Sequence, residues 1–218
     1  MRALLFTLAL FVAAPAVAQV GTLAPVDEAA EDPSFVLFRA RLLEAVATRD
    51  TAFVLAHLDP SVKVSFGGDD GAEGFRRIWL ERTSEPTLWT ELASFLPFGS
   101  TYETDPVHLR SNAEARATAP YWFSAWPDDF DAFEHFLVIG ENVNVRAAPS
   151  VDAPVLAQLS HAIVRAESYG DDAWAPILLE SGQEGYVARR FVRSPIGYRM
   201  GFDKMDGRWR ITFFVAGD

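Results

Sequence analysis

Four histidines, 30 acidic side chains and no cysteine set the limits of the chemistry open to this chain. Without a thiol there is no cysteine nucleophile, and there is no disulfide or lipid-anchored cysteine to staple the fold. His57, His108, His135 and His161 show neither His-x-x-x-His nor Glu-x-x-His spacing, so no helix offers a zinc ion two ligands. No Gly-x-Ser-x-Gly elbow or Ser-x-x-Lys pair occurs for acyl transfer. The densest polar cluster is Asp128, Asp129, Asp131, Glu134 and His135. On a helix Asp131 and His135 would share a face, with Asp128 one turn earlier. That pattern fits a divalent-cation or acid/base site, and it fits better a helix start whose dipole favours carboxylates. Asp69, Asp70 and Glu73 lack the spaced oxygen ligands of a calcium loop and read as turn residues. Paired carboxylates for glycoside hydrolysis can come from distant positions, but no pair is nominated. No catalytic residue, metal ion or cofactor is expected.

The elements that would carry a site begin at Asp32, placed to cap a helix with Pro33 in its first turn. Phe35, Phe38, Leu42, Leu43 and Val46 then recur at helical spacing. Asp50 caps a second, short helix that the Asp59-Pro60 pair terminates. Val62, Val64 and Phe66 alternate with polar neighbours as a half-buried strand, broken by residues 67–71. Helices are expected over residues 72–81 and 87–96, and residues 119–127 read as extended aromatic chain packed on the helices. Near the C-terminus Tyr198, Met200 and Phe202 alternate, Asp206-Gly207 turns the chain, and Trp209, Ile211, Phe213 and Val215 alternate again. This is a hairpin. A lone hairpin is marginal in water, so it must extend the strands before it or close back onto the helical part. Only Ser194-Pro195 separates it from those strands, which favours them.

Between these parts lie Asn142-Val143-Asn144-Val145-Arg146, a small-residue and proline segment, Trp174, and Gly182-Gln183-Glu184-Gly185-Tyr186-Val187. In that order the pieces resemble the bacterial SH3 (SH3b) domain over about residues 137–193. The resemblance implies a small barrel of short strands, at 137–139, 143–146, 155–159, 162–167, 174–179 and 185–188. It departs from the family where Ser160-His161-Ala162 replaces a glycine turn, and where Pro176 interrupts the tryptophan strand and so calls for an edge or a bulge. SH3b domains bind peptidoglycan or peptide segments. The ligand-binding candidates are therefore Tyr169, Trp174, Tyr186 and Phe191, with Trp174 open to a core role and Tyr169 placed for exposure. Arg146 is expected to pair with Glu180 or Asp152, and Asn144 to satisfy a turn. Residues 38–50 and 62–71 also loosely resemble the opening of a nuclear-transport-factor-like cone, whose long strands do not follow before Leu137.

Residues 1–18 carry Arg2, an apolar stretch and Ala16-Val17-Ala18, the parts expected of a secretory signal peptide cleaved after Ala18. Its apolar core is too short to span a bilayer. Formal charge is −11, and −12 without Arg2, a field that repels nucleic acid and anionic lipid. The expected fold class is α+β: signal peptide 1–18, flexible lead-in 19–31, helix-rich domain 32–135, SH3b-like barrel 136–194, and hairpin 195–218 docked on the barrel. The expected protein is an exported, non-catalytic binding module for peptidoglycan or an envelope protein, periplasmic or extracellular, with no integral membrane segment. Two alternatives stand beside it. One is a small-molecule-binding or hydrolytic cone targeted by the SH3b segment; the other is an assembly component that buries residues 121–126 and 209–215 against another chain.

Overall fold

The computed structural model describes residues 21–166 and 173–217 of the chain. Strand β1 (Gly21–Thr22) leads to helix α1 (Pro33–Thr48), which starts where a carboxylate meets the orphan amides of a first turn. Asp32 Oδ1 accepts from the Ser34 amide at 2.7 Å and the Phe35 amide at 3.2 Å. Arg49 ends α1 in the left-handed region, φ 58°. Helix α2 (Thr51–Ala56) begins under Asp50, whose carboxylate takes the Phe53 amide at 3.0 Å. Strand β2 (Leu58–Lys63) opens earlier than the alternation suggests, leaving Phe66 beyond it and 54% exposed. Helix α3 (Gly71–Phe75) runs on through a π-helical turn at Arg76–Leu80, and α4 (Leu88–Phe95) is capped by Thr87.

Then come β3 (Thr101–Glu103), β4 (Ala115–Ala119) and a one-turn helix α5 (Tyr121–Ser124). The aromatic stretch expected to be extended is thus a strand end followed by a helical turn. Next are β5 (His135–Val138), β6 (Val143–Arg146), β7 (Val155–Leu159), β8 (Ala162–Arg165), β9 (Trp174–Leu178), β10 (Glu184–Ala188) and β11 (Val192–Arg193). The chain ends with β12 (Arg199–Met205) and β13 (Arg208–Val215).

These strands form two sheets in a mixed α/β fold. One has the order β11-β5-β8-β9-β10-β6-β7, with β1 added on β8, and every pairing in it is antiparallel. The other runs β2-β13-β12-β4-β3, antiparallel except for the parallel β2–β13 edge. The first sheet stays open: among the described strands β7 and β11 end the path without pairing, so the expected small barrel is not closed.

The hairpin corrects a second expectation. It does not dock on the strands of residues 137–193, because β12 pairs along its length with β4, from Met200↔Ala119 to Lys204↔Ala115, while β13 takes β2. Adjacent strands β4 and β12 are separated in sequence by strands β5 to β11 of the other sheet. The segment that carries those strands is therefore an insertion between two neighbouring strands of the second sheet, so the strands nearest in sequence are not the hairpin's partners. Asp206 and Gly207 both have positive φ, 50° and 70°, the backbone of a tight hairpin turn.

Two hydrophobic cores result. In the larger, α1 and α4 cover Met200, Phe202, Trp209, Ile211 and Phe214, with Ala115, Ala117 and Ala119 letting the helices approach. The smaller, within the first sheet, is built from Phe136, Val138, Val143, Val145, Leu159, Val164, Ile177, Val187 and small neighbours. Strand β5 serves both. Phe136 and Val138 face the smaller core, and Leu137 and Ile139 the larger, which accounts for an unbroken apolar run where one-sided burial would alternate.

Candidate functional site

Alternation along β9 and β10 decides which side chains reach solvent. Ala175, Ile177 and Val187 point into the smaller core, so Trp174, Pro176, Tyr186 and Ala188 must occupy the opposite face. Trp174 is half-buried and is not among the residues of that core. Pro176 opposes Tyr186. The flanking backbone bonds, Leu179 N–H to the Gln183 carbonyl and Arg189 N–H to the Ala173 carbonyl, make that a non-hydrogen-bonded pair. The nitrogen of Pro176 thus faces away from β10, toward the side of β8, which among the described residues pairs with β9 at Leu178. The β9–β10 ladder loses no donor.

A groove of about 530 Å³ runs beside Trp174, Phe191, Asn144 and Arg146, rimmed by Val151 and Arg190. Phe191 packs on the smaller core and carries the Arg190 guanidinium 4.8 Å above its ring. Arg146, opposite Tyr186 across the strand pair, donates from Nη1 to the Ala153 carbonyl at 2.8 Å, a loop-holding bond where a carboxylate partner was expected. Asn144 lies mid-strand and accepts from Gln158 Nε2 at 3.0 Å, so it serves a cross-strand pair and not a turn. His161 takes the position of the missing glycine turn with φ 49°. Of the four proposed contact residues, Trp174 and Phe191 share the groove, Tyr186 shares the outward face with Trp174, and Tyr169 lies outside the described residues.

Comparison with protein families, with characterised proteins and with solved structures finds no match.

The acidic cluster around Asp131 forms no helix. It lies in turns, where Asp131 Oδ1 accepts the Phe133 amide at 2.8 Å, His135 turns Nδ1 to the Asp131 carbonyl, and Glu134 pairs with Arg165 at 3.0 Å. Among the described residues no three histidine or carboxylate side chains gather as a metal site would require. Nor is any described helix long and apolar enough to cross a membrane.

In the helical part a cleft of about 610 Å³ opens between α1, α2 and the start of β13, lined by Phe38, Arg41, Phe53, His57, Arg208 and Arg210. His57 stacks on Phe53 with centroids 4.2 Å apart and donates Nδ1–H to the Phe53 carbonyl at 2.8 Å. No carboxylate lines this cleft, so His57 has no acid partner there. Another cavity, about 480 Å³, sits where the two sheets' surroundings meet and includes Glu91, Arg193 and Tyr198. Burial pushes the Glu91 carboxyl up, against a hydrogen bond from Ser94 that favours its charged form. Burial likewise pushes the Arg193 guanidinium down and the Tyr198 hydroxyl up.

Proposed function

We propose that this is an exported, non-catalytic binding protein of the cell envelope, whose SH3-like segment holds short peptide segments in the groove beside Trp174. Peptidoglycan peptide is the leading partner. The observation that carries it is the placement of Trp174 and Tyr186 on the outward face of β9 and β10, whose inner face is filled without them, with Phe191 beside Trp174 in the groove. Arg146 and Arg190 add donors suited to a peptide carboxylate. They also place positive charge locally on a chain whose overall field is negative. Cosedimentation of the protein with purified peptidoglycan sacculi across a salt series tests this. Binding that survives high salt and drops about tenfold in Trp174→Ala supports it, since a single ring contact in a hot spot is worth that much. Absence of binding at every salt concentration removes peptidoglycan as the partner.

A second function, small-molecule binding by the first region as a nuclear-transport-factor-like cone, is favoured by one observation. The long strands that such a cone requires do occur, as β12 and β13, but on the far side of the inserted sheet. For the assembly alternative, Tyr121, Trp122 and Trp209 are buried within this chain, while Phe123, Trp126 and Phe213 are only half-buried.

A further inference from the structure

The second sheet has one face under helices and one face turned outward, and the outward face carries a cleft of about 420 Å³. Its walls are apolar rings. Phe213 forms the floor by lying across Gly201, where an added Cβ would come within 2.0 Å of the ring. Phe123 and the exposed Phe66 form the sides, and Phe66 has left the strand that would have buried it.

Around these rings stand four basic side chains, Lys63, Arg110, Arg116 and Arg199, and no acidic residue lines the cleft. On a chain of net charge −11 such a cluster runs against composition. Arg116 is positioned by Asp203, a fully buried carboxylate that takes Nε at 2.7 Å and Nη2 at 3.1 Å. That pair leaves further guanidinium hydrogens available. Arg110 stands 3.7 Å from Asp59. The Arg199 guanidinium lies 4.3 Å over the Phe123 ring, and the Lys63 ammonium 4.9 Å over Phe66. Cations held over rings along an apolar floor match a ligand with one anionic end and one apolar end.

We propose that this outward cleft binds a small amphipathic carboxylate, its carboxylate among Lys63, Arg110 and Arg116 and its apolar part on Phe213 and Phe66. The site lies on the opposite face of the sheet from the α1–α2 cleft and in the other sheet from the Trp174 groove, so it stands independently of both. Nucleic acid fits it poorly, because the acidic surroundings repel a polyanion while a monoanion meets only the local cluster.

Calorimetric titration with octanoate, 1-octanol and octylammonium separates the charge requirement from the apolar one. Octanoate is expected to bind one-to-one, about tenfold or more tighter than the alcohol or the ammonium. Lys63→Glu should weaken octanoate by about tenfold, and Phe66→Ser by a similar factor, with melting temperatures close to that of the parent protein because both side chains are exposed. Arg116→Gln is a poor probe, since it strands buried Asp203. Equal binding of octanoate and octylammonium overturns the proposal, as does octanoate binding unchanged in Lys63→Glu, or no binding up to about 10 mM. A concentration-dependent doubling of mass that Phe66→Ser abolishes also overturns it, by assigning the face to a second copy of the chain.

Discussion

The two cores use aromatic residues in opposite ways. In the helix-covered core, Phe35, Phe75, Trp79, Phe95, Tyr121, Phe202, Trp209 and Phe214 are all buried, with ring pairs such as Trp79–Phe214 at 4.6 Å and Phe35–Trp209 at 4.8 Å. In the core of the first sheet the buried residues are valine, leucine, isoleucine and alanine, with Phe136 as the one buried ring among those described, while Trp174 and Tyr186 lie half-buried outside it and Phe191 packs on it half-buried. The consequence is functional. Where a core can close without its aromatics, rings kept outside are available for a partner.

Truncating one ring from each region tests the contrast most directly. Phe214 is fully buried, with Trp79, Phe75, Phe95 and Tyr198 around it at 4.6–6.5 Å. Phe214→Ala should cost about 3–5 kcal/mol in urea denaturation. Trp174→Ala should cost under about 1.5 kcal/mol while weakening ligand binding. If the Trp174 loss matches that of Phe214, the tryptophan is a core brace and the groove loses its main contact.

Gly201→Ala is expected to have the next largest effect. The new methyl group meets the Phe213 ring at 2.0 Å on a strand with little room to move, so overpacking should destabilise by about 1–3 kcal/mol in thermal or urea unfolding. The same change should disturb the outward cleft by tilting its floor. A wild-type melting curve would show that Phe213 swings aside freely and that the floor is not built.

How much of this was legible in the sequence differs between elements for physical reasons. Caps are local chemistry, and Asp32 and Asp50 are found at the helix starts where their side chains can reach the first amides. The Asp206-Gly207 turn and the short strands of residues 137–193 are local too, because turn residues and period-two alternation fix them. Alternation does not say which face is inside, which is why Trp174 was open to a core role until Ala175 and Ile177 were seen to fill it. Nor does it name a strand's partner: β12 found β4 across an inserted sheet, a pairing with no local signal. The outward cleft was missed for a related reason. Phe66 continued an apolar alternation and read as core, yet β2 ends at Lys63, and the cations beside it come from four separated segments. A basic cleft lined by no acidic residue in an acidic chain becomes visible only once the sheet assembles it.

The smallest effect concerns the link that ties the hairpin to α1. Burial opposes ionisation of Asp32, but it accepts from the Ser34 hydroxyl at 2.6 Å, the Tyr102 hydroxyl at 2.8 Å and two backbone amides, and these hold its carboxyl well below the usual carboxylate range. Lys204 Nζ stands 3.3 Å away, and Trp209 Nε1 donates to the Ser34 hydroxyl at 3.0 Å. A carboxyl depressed in the folded state binds fewer protons there than in the unfolded chain, so its contribution is complete above the unfolded value near 4 and is lost as pH falls below it. Asp32→Asn keeps the cap geometry but does not titrate. It should be less stable than the parent at neutral pH by about 1 kcal/mol, with the gap closing as pH is lowered from about 5 toward 2. Urea midpoints measured across that range would show a constant gap if Asp32 is not depressed. In that case the aromatic core is tied to α1 by packing alone.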